Sequence, residues 1–416
     1  MTAIMDFGTA QLEVSVQMAI GLGAAQWDAG AWDFDRWATE STGSWVDVTC
    51  DVSEVVLTSG ASEPDGILTA INGTTGSITL HGDQYNPWIE PWVGQLGPGV
   101  PVQVLWRHVG DASFTAAFTG VTDSWPFDRD SGVAAVPILD GTGQLANQQL
   151  SAWGSPVGQG EGLSARMNRI LDAAAWPTGL RQIPAQALPC ISTVLGAAAW
   201  DLMKTAADTG VGIVFVSRAG LVTYIPIGQI GGAWVPTVLP WNLTDHHRGN
   251  PADVCVVNFT NSQPEVVRND VTIARAADPA VANDAPVVAL AEDVQSMSRF
   301  GIKTYDRNDL IHQQDTYSAA VAGAVLMDGA WPALHPQLAD LDVKVDGRSA
   351  DVLLGADIGN VLNVLDSGKT FECVLVGYSV DLTAKGLSGT VVLSDITKWI
   401  GSFWDTGQWD IAIWSV

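Results

Sequence analysis

The sequence has little cysteine, little positive charge and no long apolar run. Its four cysteines, Cys50, Cys190, Cys255 and Cys373, are scattered and form no Cys-x-x-Cys pair. This spacing excludes a recognisable zinc or iron–sulfur framework and argues against disulfides, so we expect four small buried hydrophobic side chains. No run approaches the ~20 apolar residues of a membrane span. No signal peptide is visible at the start, and we therefore expect maturation in a reducing cytosol.

Positive charge is scarce, because 19 Lys and Arg residues face 45 Asp and Glu residues, a formal net charge of −26. Ordinary binding to nucleic-acid phosphates needs clustered Lys and Arg and is disfavoured. The acids are spread singly, and such a dispersed negative field aids solubility. It would equally coat a channel through which a polyanion slides without sticking, and composition leaves both interpretations open.

Motifs for chemistry are also missing. In Asp245-His246-His247 the adjacent histidines would point in opposite directions on a strand, which disfavours a shared metal ion. Asp123, Asp128 and Asp130 lack the EF-hand spacing. Residues 21–25 are Gly-rich but lack the Lys-Ser/Thr of a nucleotide loop. We recognise no nucleophile–base set, and we predict no catalytic residue, metal site or cofactor.

Short strands dominate what is present. Alternating apolar and polar residues, bounded by Gly, Pro, Asn and Asp, predict strands at 45–49, 54–58, 76–80, 101–107 and 112–121. Open strand edges at this density invite pairing with other chains. Closure into a barrel, or lateral pairing in a ring of like subunits, would remove those edges, and we predict both.

The chain of 416 residues is long for one core. We predict an α+β, mostly β protein in which two tube-type β-barrel domains flank a small α/β domain. Helices are predicted at 163–176, 191–208 and 316–327, and a hairpin at 211–226. The predicted divisions are an N-terminal barrel domain at 1–150 with a Trp-rich strap at 24–44, an α/β insert at 151–240, a second barrel-like domain with one helix at 241–397, and a second Trp-rich strap at 398–416.

Eighteen tryptophans are the other unusual feature. The pattern Trp-Asp-x-Gly-x-Trp-Asp-x-x-x-Trp occurs twice, and its tryptophans are Trp27, Trp32 and Trp37 in the first copy and Trp404, Trp409 and Trp414 in the second. Asp would cap a turn, Gly would permit a positive φ, and Trp would anchor in a groove of a neighbour. These six residues are our interface candidates. Two alternatives remain open: each strap packs on its own domain, or the indoles stack on sugars.

Four stretches together carry a resemblance to a known family. They are 45–49 leading to 76–80 and 83–87, then 99–104 with 118–125, then 163–167 to a Trp-Pro at 176–177, and lastly 292–296 with an aromatic-Gly pair at 300–301. Their order resembles that of tail hub, or minor tail, proteins of long-tailed bacteriophages, especially those of actinobacterial hosts. The likeness extends over nearly the whole chain.

That resemblance implies a non-enzymatic structural protein that closes the tail tube at its tip as a trimer, each subunit supplying two tube-type barrels. It implies partners as well: further copies of itself, a distal tail or tube protein, spike, fibre or other minor tail proteins, passing genomic DNA without specific binding, and indirectly the host surface. The protein would be assembled in the host cytoplasm and reside in the virion, at the tail tip. A negative lumen would let DNA pass, with Asp340, Asp342 and Asp346 as candidate lumen acids.

Two other functions compete with the hub. The first is a carbohydrate- or receptor-binding tail protein that stacks host sugars on surface tryptophans. The second is a tail-associated hydrolase acting on the cell wall.

Overall fold

The computed structural model describes residues 3–6, 11–20, 45–61, 71–89, 91–151, 155–226, 237–245, 250, 252–260, 267–331 and 336–395. Within them strands far outnumber helices. The predicted class, α+β and mostly β, is confirmed.

The first part of the chain is built from strands that alternate buried and exposed residues, as the sequence predicts. The strands are β1 Ala3–Asp6, β2 Gln11–Ala19, β3 Trp45–Asp47, β4 Val52–Gly60, β5 Asn72–His81, β6 Pro101–His108, β7 Thr115–Thr122, β8 Phe127–Asp128 and β9 Val133–Leu139. A short helix, α1 Gly141–Asn147, follows. The carboxylate of Asp140 caps α1 by accepting the backbone N–H of Thr142 at 2.8 Å.

A small α/β unit comes next. It consists of α2 Leu163–Ala173, β10 Arg181–Gln182, α3 Ala199–Thr209, β11 Gly212–Val216 and β12 Val222–Pro226. The three strands form a separate sheet in the order β10-β12-β11. The predicted helix at 163 and the hairpin are confirmed. The second predicted helix is wrong in its first half, because residues 191–198 form no helix. Their backbone bonds elsewhere, and the Ile191 N–H donates to the carbonyl of Ile311 at 2.8 Å.

The described residues after 226 form ten strands and two helices. They are β13 Val238–Thr244, β14 Asp253–Cys255, β15 Asn258–Thr260, β16 Asp270–Arg275, β17 Ala289–Glu292, α4 Val294–Phe300, β18 Thr304–Leu310, α5 Asp315–Gly329, β19 Leu338–Asp342, β20 Val361–Asp366, β21 Lys369–Thr383 and β22 Gly386–Asp395. A π-helical turn, Asp351–Gly355, lies between β19 and β20. The predicted Ala-rich helix is confirmed as α5.

Strands from both ends of the chain join into one 16-stranded sheet. Its main path is β1-β2-β6-β7-β9-β5-β4-β21-β20-β13-β14, and β22 links β21 to β19 and β15. The seam is the antiparallel pairing of β4 with β21, from Gly60 opposite Gly377 to Glu54 opposite Thr383. The two predicted barrels are therefore not separate sheets, because this ladder makes their strands continuous.

Each half of the large sheet bends back on itself through one stretch of chain. In the first half β3 pairs with β2 while β4, which follows after a 3-10 turn, pairs with β5. In the second half β14 pairs with β13, and β15, two residues further on, pairs with β19. No closed barrel is found among the described strands, since the bridging stretch in each case consists of two separate strands and not one continuous strand.

A third sheet was not anticipated by the sequence. β16 pairs antiparallel with β17 and parallel with β18, and α5 packs against β16 and β17. The sequence predicts a barrel-like domain with one helix at 241–397. The structure instead puts residues 270–275 in this three-stranded sheet as β16, and α4 is a second helix.

Backbones approach closely at the seam, and glycine is required there. Gly60 has φ +81°, and a Cβ at this position would lie 2.3 Å from the carbonyl oxygen of Val376. Both the left-handed conformation and the lack of space exclude other side chains. The side chains of Val55, Leu57 and Val380 are buried beneath the seam, so the core runs without a break from one half of the sheet to the other.

The described residues bear on two expectations, the lack of a membrane span and the burial of the cysteines. No helix in that part of the chain is long and apolar enough to span a membrane. The expectation of four buried cysteines was partly wrong: Cys190 and Cys373 are buried, Cys255 is half-buried and Cys50 is exposed.

Candidate assembly surfaces

The outward side chains of five adjacent strands, β19, β22, β21, β4 and β5, form one continuous surface that we call the polar wall. Cross-strand partners point to the same face of a sheet, and the strand register places Ser379 between Thr58 and Thr390. Extending this pairing along the ladder defines the wall as Asp340, Asp342, Ser388, Thr390, Ser379, Asp381, Thr383, Glu54, Val56, Thr58, Thr75, Ser77 and Thr79.

The wall faces away from the core because β4 and β21 alternate buried and more exposed residues along the part of each strand that forms it. On β4, Val55 and Leu57 are buried while their neighbours are half-buried or exposed, and on β21 the same holds for Val380 and Leu382. A period of two puts successive side chains on opposite faces. The polar wall is therefore the outer face of the same sheet whose inner face forms the core.

The charge on the polar wall is of one sign. Its carboxylates are Glu54, Asp340, Asp342 and Asp381, most of the other positions carry hydroxyl groups, and none of the positions is Lys or Arg. The Oδ1 atom of Asp340 accepts a hydrogen bond from the hydroxyl of Thr390 at 2.7 Å. These acidic positions repel phosphate groups. A cation does lie at the edge of the wall, because a Cβ on Gly386, the register partner of Thr383, would stand 3.2 Å from the Lys344 Nζ atom.

Two of the three predicted lumen acids, Asp340 and Asp342, lie on the polar wall. Asp346 does not, because it sits in the turn after β19 and is buried, where it accepts the Cys255 N–H at 3.0 Å and pairs with Arg348 at 2.8 Å. Burial raises the pKa of the Asp346 carboxyl, but the hydrogen bonds of Arg348 and of the backbone outweigh burial and leave it below the usual value.

Sequence reasoning missed Glu54 and Asp381 as wall acids. Both sit on strands whose alternation is visible in the sequence, so the orientation of their side chains could have been predicted. Their proximity could not, because it depends on the pairing of β4 with β21, which are more than 300 residues apart.

A buried arginine fastens the small α/β unit to the large sheet. Arg218 lies at the β11–β12 turn, and its guanidinium donates to the carbonyls of Ala356 (2.7 Å), Ala117 (3.0 Å) and Leu353 (2.8 Å). It also stacks on Tyr378, 3.8 Å from the ring centroid. Since Ala117 belongs to β7 and the other partners to the later part of the chain, Arg218 ties three segments together.

A second tie joins β6 to the π-helical turn. The indole N–H of Trp106 donates to the carbonyl of Leu354 at 3.0 Å, and the His108 Nε2 atom lies 2.7 Å from the Asp351 carboxylate. Together with Arg218, these contacts hold both halves of the large sheet in one arrangement, which a surface spanning the seam requires.

Exposed apolar side chains concentrate in two places among the described residues. In the connection between β5 and β6, Trp88 is 64% exposed, with the Arg129 guanidinium 5.1 Å from its ring centroid. The second concentration lies around β17. We call it the β17 patch, and it consists of Val287, Val288, Leu290, Val294 and Ile302. Clusters of this kind mark contact surfaces more often than scattered single residues do.

Two places that bring titratable side chains together, the His312–Ser318 pair and a cleft beside α3, have the features of structural contacts and not of a catalytic site. His312 lies 3.3 Å from the Ser318 hydroxyl, but both are fully buried, and burial lowers the pKa of His312 to about 4. A cleft of about 310 Å³ between α3, β11 and β18 contains two ion pairs, Asp208–Arg307 at 2.8 Å and Asp201–Lys204 at 2.9 Å. Neither place joins an accessible nucleophile to a base.

No group of three or more His, Cys, Asp or Glu side chains in the described part of the chain is arranged to hold a metal ion. The carboxylate of Asp128 is occupied by the Ser131 hydroxyl at 2.5 Å and the Asp130 N–H at 3.1 Å. His246 and His247 lie outside the described residues, as do the six interface candidates Trp27, Trp32, Trp37, Trp404, Trp409 and Trp414. Their role stays a prediction.

Comparison with solved structures shows the fold of tail proteins. The 43 kDa tail protein of prophage MuSo2 from Shewanella oneidensis matches with a TM-score of 0.55 at 13% identity, over 92% of this chain and 99% of that one. A tail protein from Neisseria meningitidis MC58 matches with a TM-score of 0.57 at 12% identity, over 93% and 98%.

Comparisons of sequence alone found no counterpart: no protein-family model and no curated protein matches the chain. The likeness to known proteins is therefore one of fold alone. Over more than nine-tenths of its length, this chain has the fold of the Shewanella prophage and Neisseria tail proteins.

Proposed function

We propose that this protein is a structural hub of a bacteriophage tail tip, closing the tail tube as a ring of three copies with DNA passing through its lumen. The observation that carries the proposal is the polar wall, an acidic and hydroxyl-bearing surface that continues across the β4–β21 seam. The shared fold with two tail proteins supports a place in a tail.

The two halves of the large sheet supply the symmetry argument. Each half bends back through a bridging stretch, β3–β4 in one and β14–β15 in the other. In the proposal each half acts as one incompletely closed tube-type barrel, so three copies present six such units around an axis. A ring also satisfies strand edges that would stay open in a monomer.

The polar wall faces the lumen in this proposal. Duplex DNA carries one charge per ~1.7 Å of its axis and binds wherever Lys and Arg neutralise phosphates. A wall with Glu54, Asp340, Asp342 and Asp381, and with Lys344 at its edge, offers few such contacts, so DNA slides past it. Asp346, buried against Arg348, is assigned a structural role instead.

Assembly partners follow from position in the tail. The proposal places further copies beside each subunit, a distal tail or tube protein above, and spike, fibre or other minor tail proteins below, with the host surface contacted indirectly. The two Trp straps, 24–44 and 398–416, clamp the ring to these neighbours. The proposal keeps the predicted domain boundaries at residues 150, 240 and 397. The protein has no catalytic role, and actinobacterial hosts remain the expected source.

The lumen assignment is tested by reversing one wall charge. We expect Asp381→Lys to make the assembled ring retain a linear DNA duplex at low salt, whereas the wild-type ring does not retain it, measured by fluorescence anisotropy. Asp130→Lys is the matched control, since Asp130 is also exposed but lies in the β8–β9 turn, away from the polar wall. Equal retention by the two variants would show that the wall does not face the DNA path.

The strap assignment is tested separately. Trp409→Ala should block tail assembly while leaving the circular dichroism spectrum and the unfolding midpoint of the subunit unchanged. Normal tails from this variant would mean that the second strap is not an interface anchor.

One observation favours a second function, carbohydrate or receptor binding. The Trp88 ring is exposed and has Arg129 beside it, which is a surface on which a sugar could stack. A glycan array separates the two functions: a strong signal that Trp88→Ala abolishes would support sugar binding, and no signal would leave the hub as the function. Release of soluble fragments from host cell wall would instead indicate the hydrolase.

A further inference from the structure

The β17 patch is an apolar surface in a sheet that the fold leaves partly uncovered. Leu290 is 61% exposed and Val294 72% exposed, and Val287, Val288 and Ile302 are exposed to a similar degree. All five lie within sixteen consecutive residues. A solvent-facing concentration of this kind is costly in water unless a partner covers it.

The patch includes a strand edge as well as side chains. Ala289 and Ala291 pack inward beneath α5, so Leu290 and Glu292 face outward. In the described part of the chain β17 pairs with β16 alone, which leaves its other edge open. An edge strand that carries exposed apolar side chains is a template for adding a strand from another segment.

The chain itself contains a segment with matching properties. Residues 398–416 carry a tryptophan at every fifth position from Trp399 to Trp414. Residues 411–414 form a short apolar run of β-branched and aromatic residues, which is compatible with a strand. This segment follows β22, which ends at Asp395. The Leu393 N–H donates to the Gln337 carbonyl at 2.8 Å, so the segment departs close to the chain that leads out of α5.

Charge is complementary at one end of the patch, whereas Glu292 faces outward on β17 itself. Cations are scarce in this acidic chain, yet two exposed ones, Arg299 and Lys303, flank Ile302 at the end of the β17 patch. Arg299 lies over the rings of Phe300 and Trp331, 5.3 Å and 5.9 Å from their centroids. The segment 398–416 places Asp405 and Asp410 directly after tryptophans. Its acidic residues therefore match the basic end of the patch around Ile302, while its aromatic residues match the apolar part.

We propose that the β17 patch of one copy receives the segment 398–416 of the adjoining copy, with residues 410–414 added as a strand along the open edge of β17. The inference rests on the proposed ring. A closed cyclic ring needs two different surfaces that complement each other on neighbouring copies. The β17 patch and the segment are such a pair, and this gives the second Trp strap a defined receptor.

The first test measures assembly. Leu290→Asp places a charge on the patch without disturbing the core, and Val109→Asp is the matched control, an exposed valine in the turn after β6. By mass photometry over a concentration series, Leu290→Asp should weaken self-association at least tenfold while Val109→Asp associates like the wild type. Self-association of Leu290→Asp at wild-type strength would overturn this inference but leave the hub standing. A wild type that stays monomeric would overturn the hub itself.

The second test identifies which copy supplies the segment. In full chains carrying Cys50→Ser, the variants Leu290→Cys and Ile411→Cys are mixed and treated with a short bismaleimide linker, with Val109→Cys plus Ile411→Cys as the control pair. A covalent dimer from the first pair alone is expected. If a chain carrying both Leu290→Cys and Ile411→Cys links within itself and the mixed variants do not link, the segment folds back on its own copy and the inference is wrong.

Discussion

Replacing Arg218 by alanine should uncouple the small α/β unit from the large sheet. The guanidinium is nearly inaccessible to solvent, and it donates to three carbonyl oxygens at 2.7–3.0 Å while covering one face of Tyr378. Truncation leaves the carbonyls of Ala356, Ala117 and Leu353 without this donor and opens a void against the Tyr378 ring.

The expected loss follows from these contacts. Hydrogen bonds to a charged group contribute about 1.5–3 kcal/mol each, but water entering the void would satisfy some of the carbonyls. With water replacing part of the three bonds, we expect a total loss of about 3–5 kcal/mol. Arg218→Met should lose nearly as much, because it restores apolar volume but none of the three donors.

Urea unfolding followed by tryptophan fluorescence and by circular dichroism measures this loss. Arg129→Ala is the control, since Arg129 is exposed and contacts the Trp88 ring, and it should change the free energy of unfolding by less than about 1 kcal/mol. A free energy of unfolding for Arg218→Ala within 1 kcal/mol of the wild type would refute the idea that this residue joins the three segments.

Two further predictions concern the seam and a buried acid. Gly60→Ala should lower the free energy of unfolding by about 1–3 kcal/mol, because the new Cβ meets the Val376 carbonyl. Gly323 in α5 has open space around it, and Gly323→Ala should raise the free energy of unfolding by up to about 1 kcal/mol. The midpoints of urea unfolding test both. Burial raises the pKa of Asp140 to about 6, above the ordinary 3.8. Asp140 therefore adds stability below pH 4 that is lost as the pH rises through 6, and Asp140→Asn should flatten this part of the stability–pH profile. An unchanged profile would contradict the burial argument.

Local patterns in the sequence were sufficient to predict most individual elements. Alternation correctly indicated β5 and β6, and the spacing of Leu163, Met167 and Ile170 correctly indicated α2. The same kind of reasoning failed at residues 191–198, where apolar spacing suggested a helix but the Ile191 N–H bonds to Ile311. Tertiary hydrogen bonds had overridden the local preference there.

Long-range pairing accounts for what the sequence could not show. The polar wall depends on Glu54 and Asp381 being carried to one face by the seam, and nothing near either residue indicates which strand will lie beside it. The third sheet has the same origin, since β16 pairs with β18 about thirty residues later. The sequence around Arg218 does not indicate its role as a tie between segments either. An arginine in a turn is ordinarily exposed to solvent, and the carbonyls that surround Arg218 come from distant parts of the chain.

The central claim is that copies of this chain form a threefold ring lined by the polar wall. Native mass spectrometry of the purified full-length protein, over a range of concentrations, tests it most directly. We expect a species of three times the 43.9 kDa chain mass. A protein that remains a single chain at every concentration would contradict the claim.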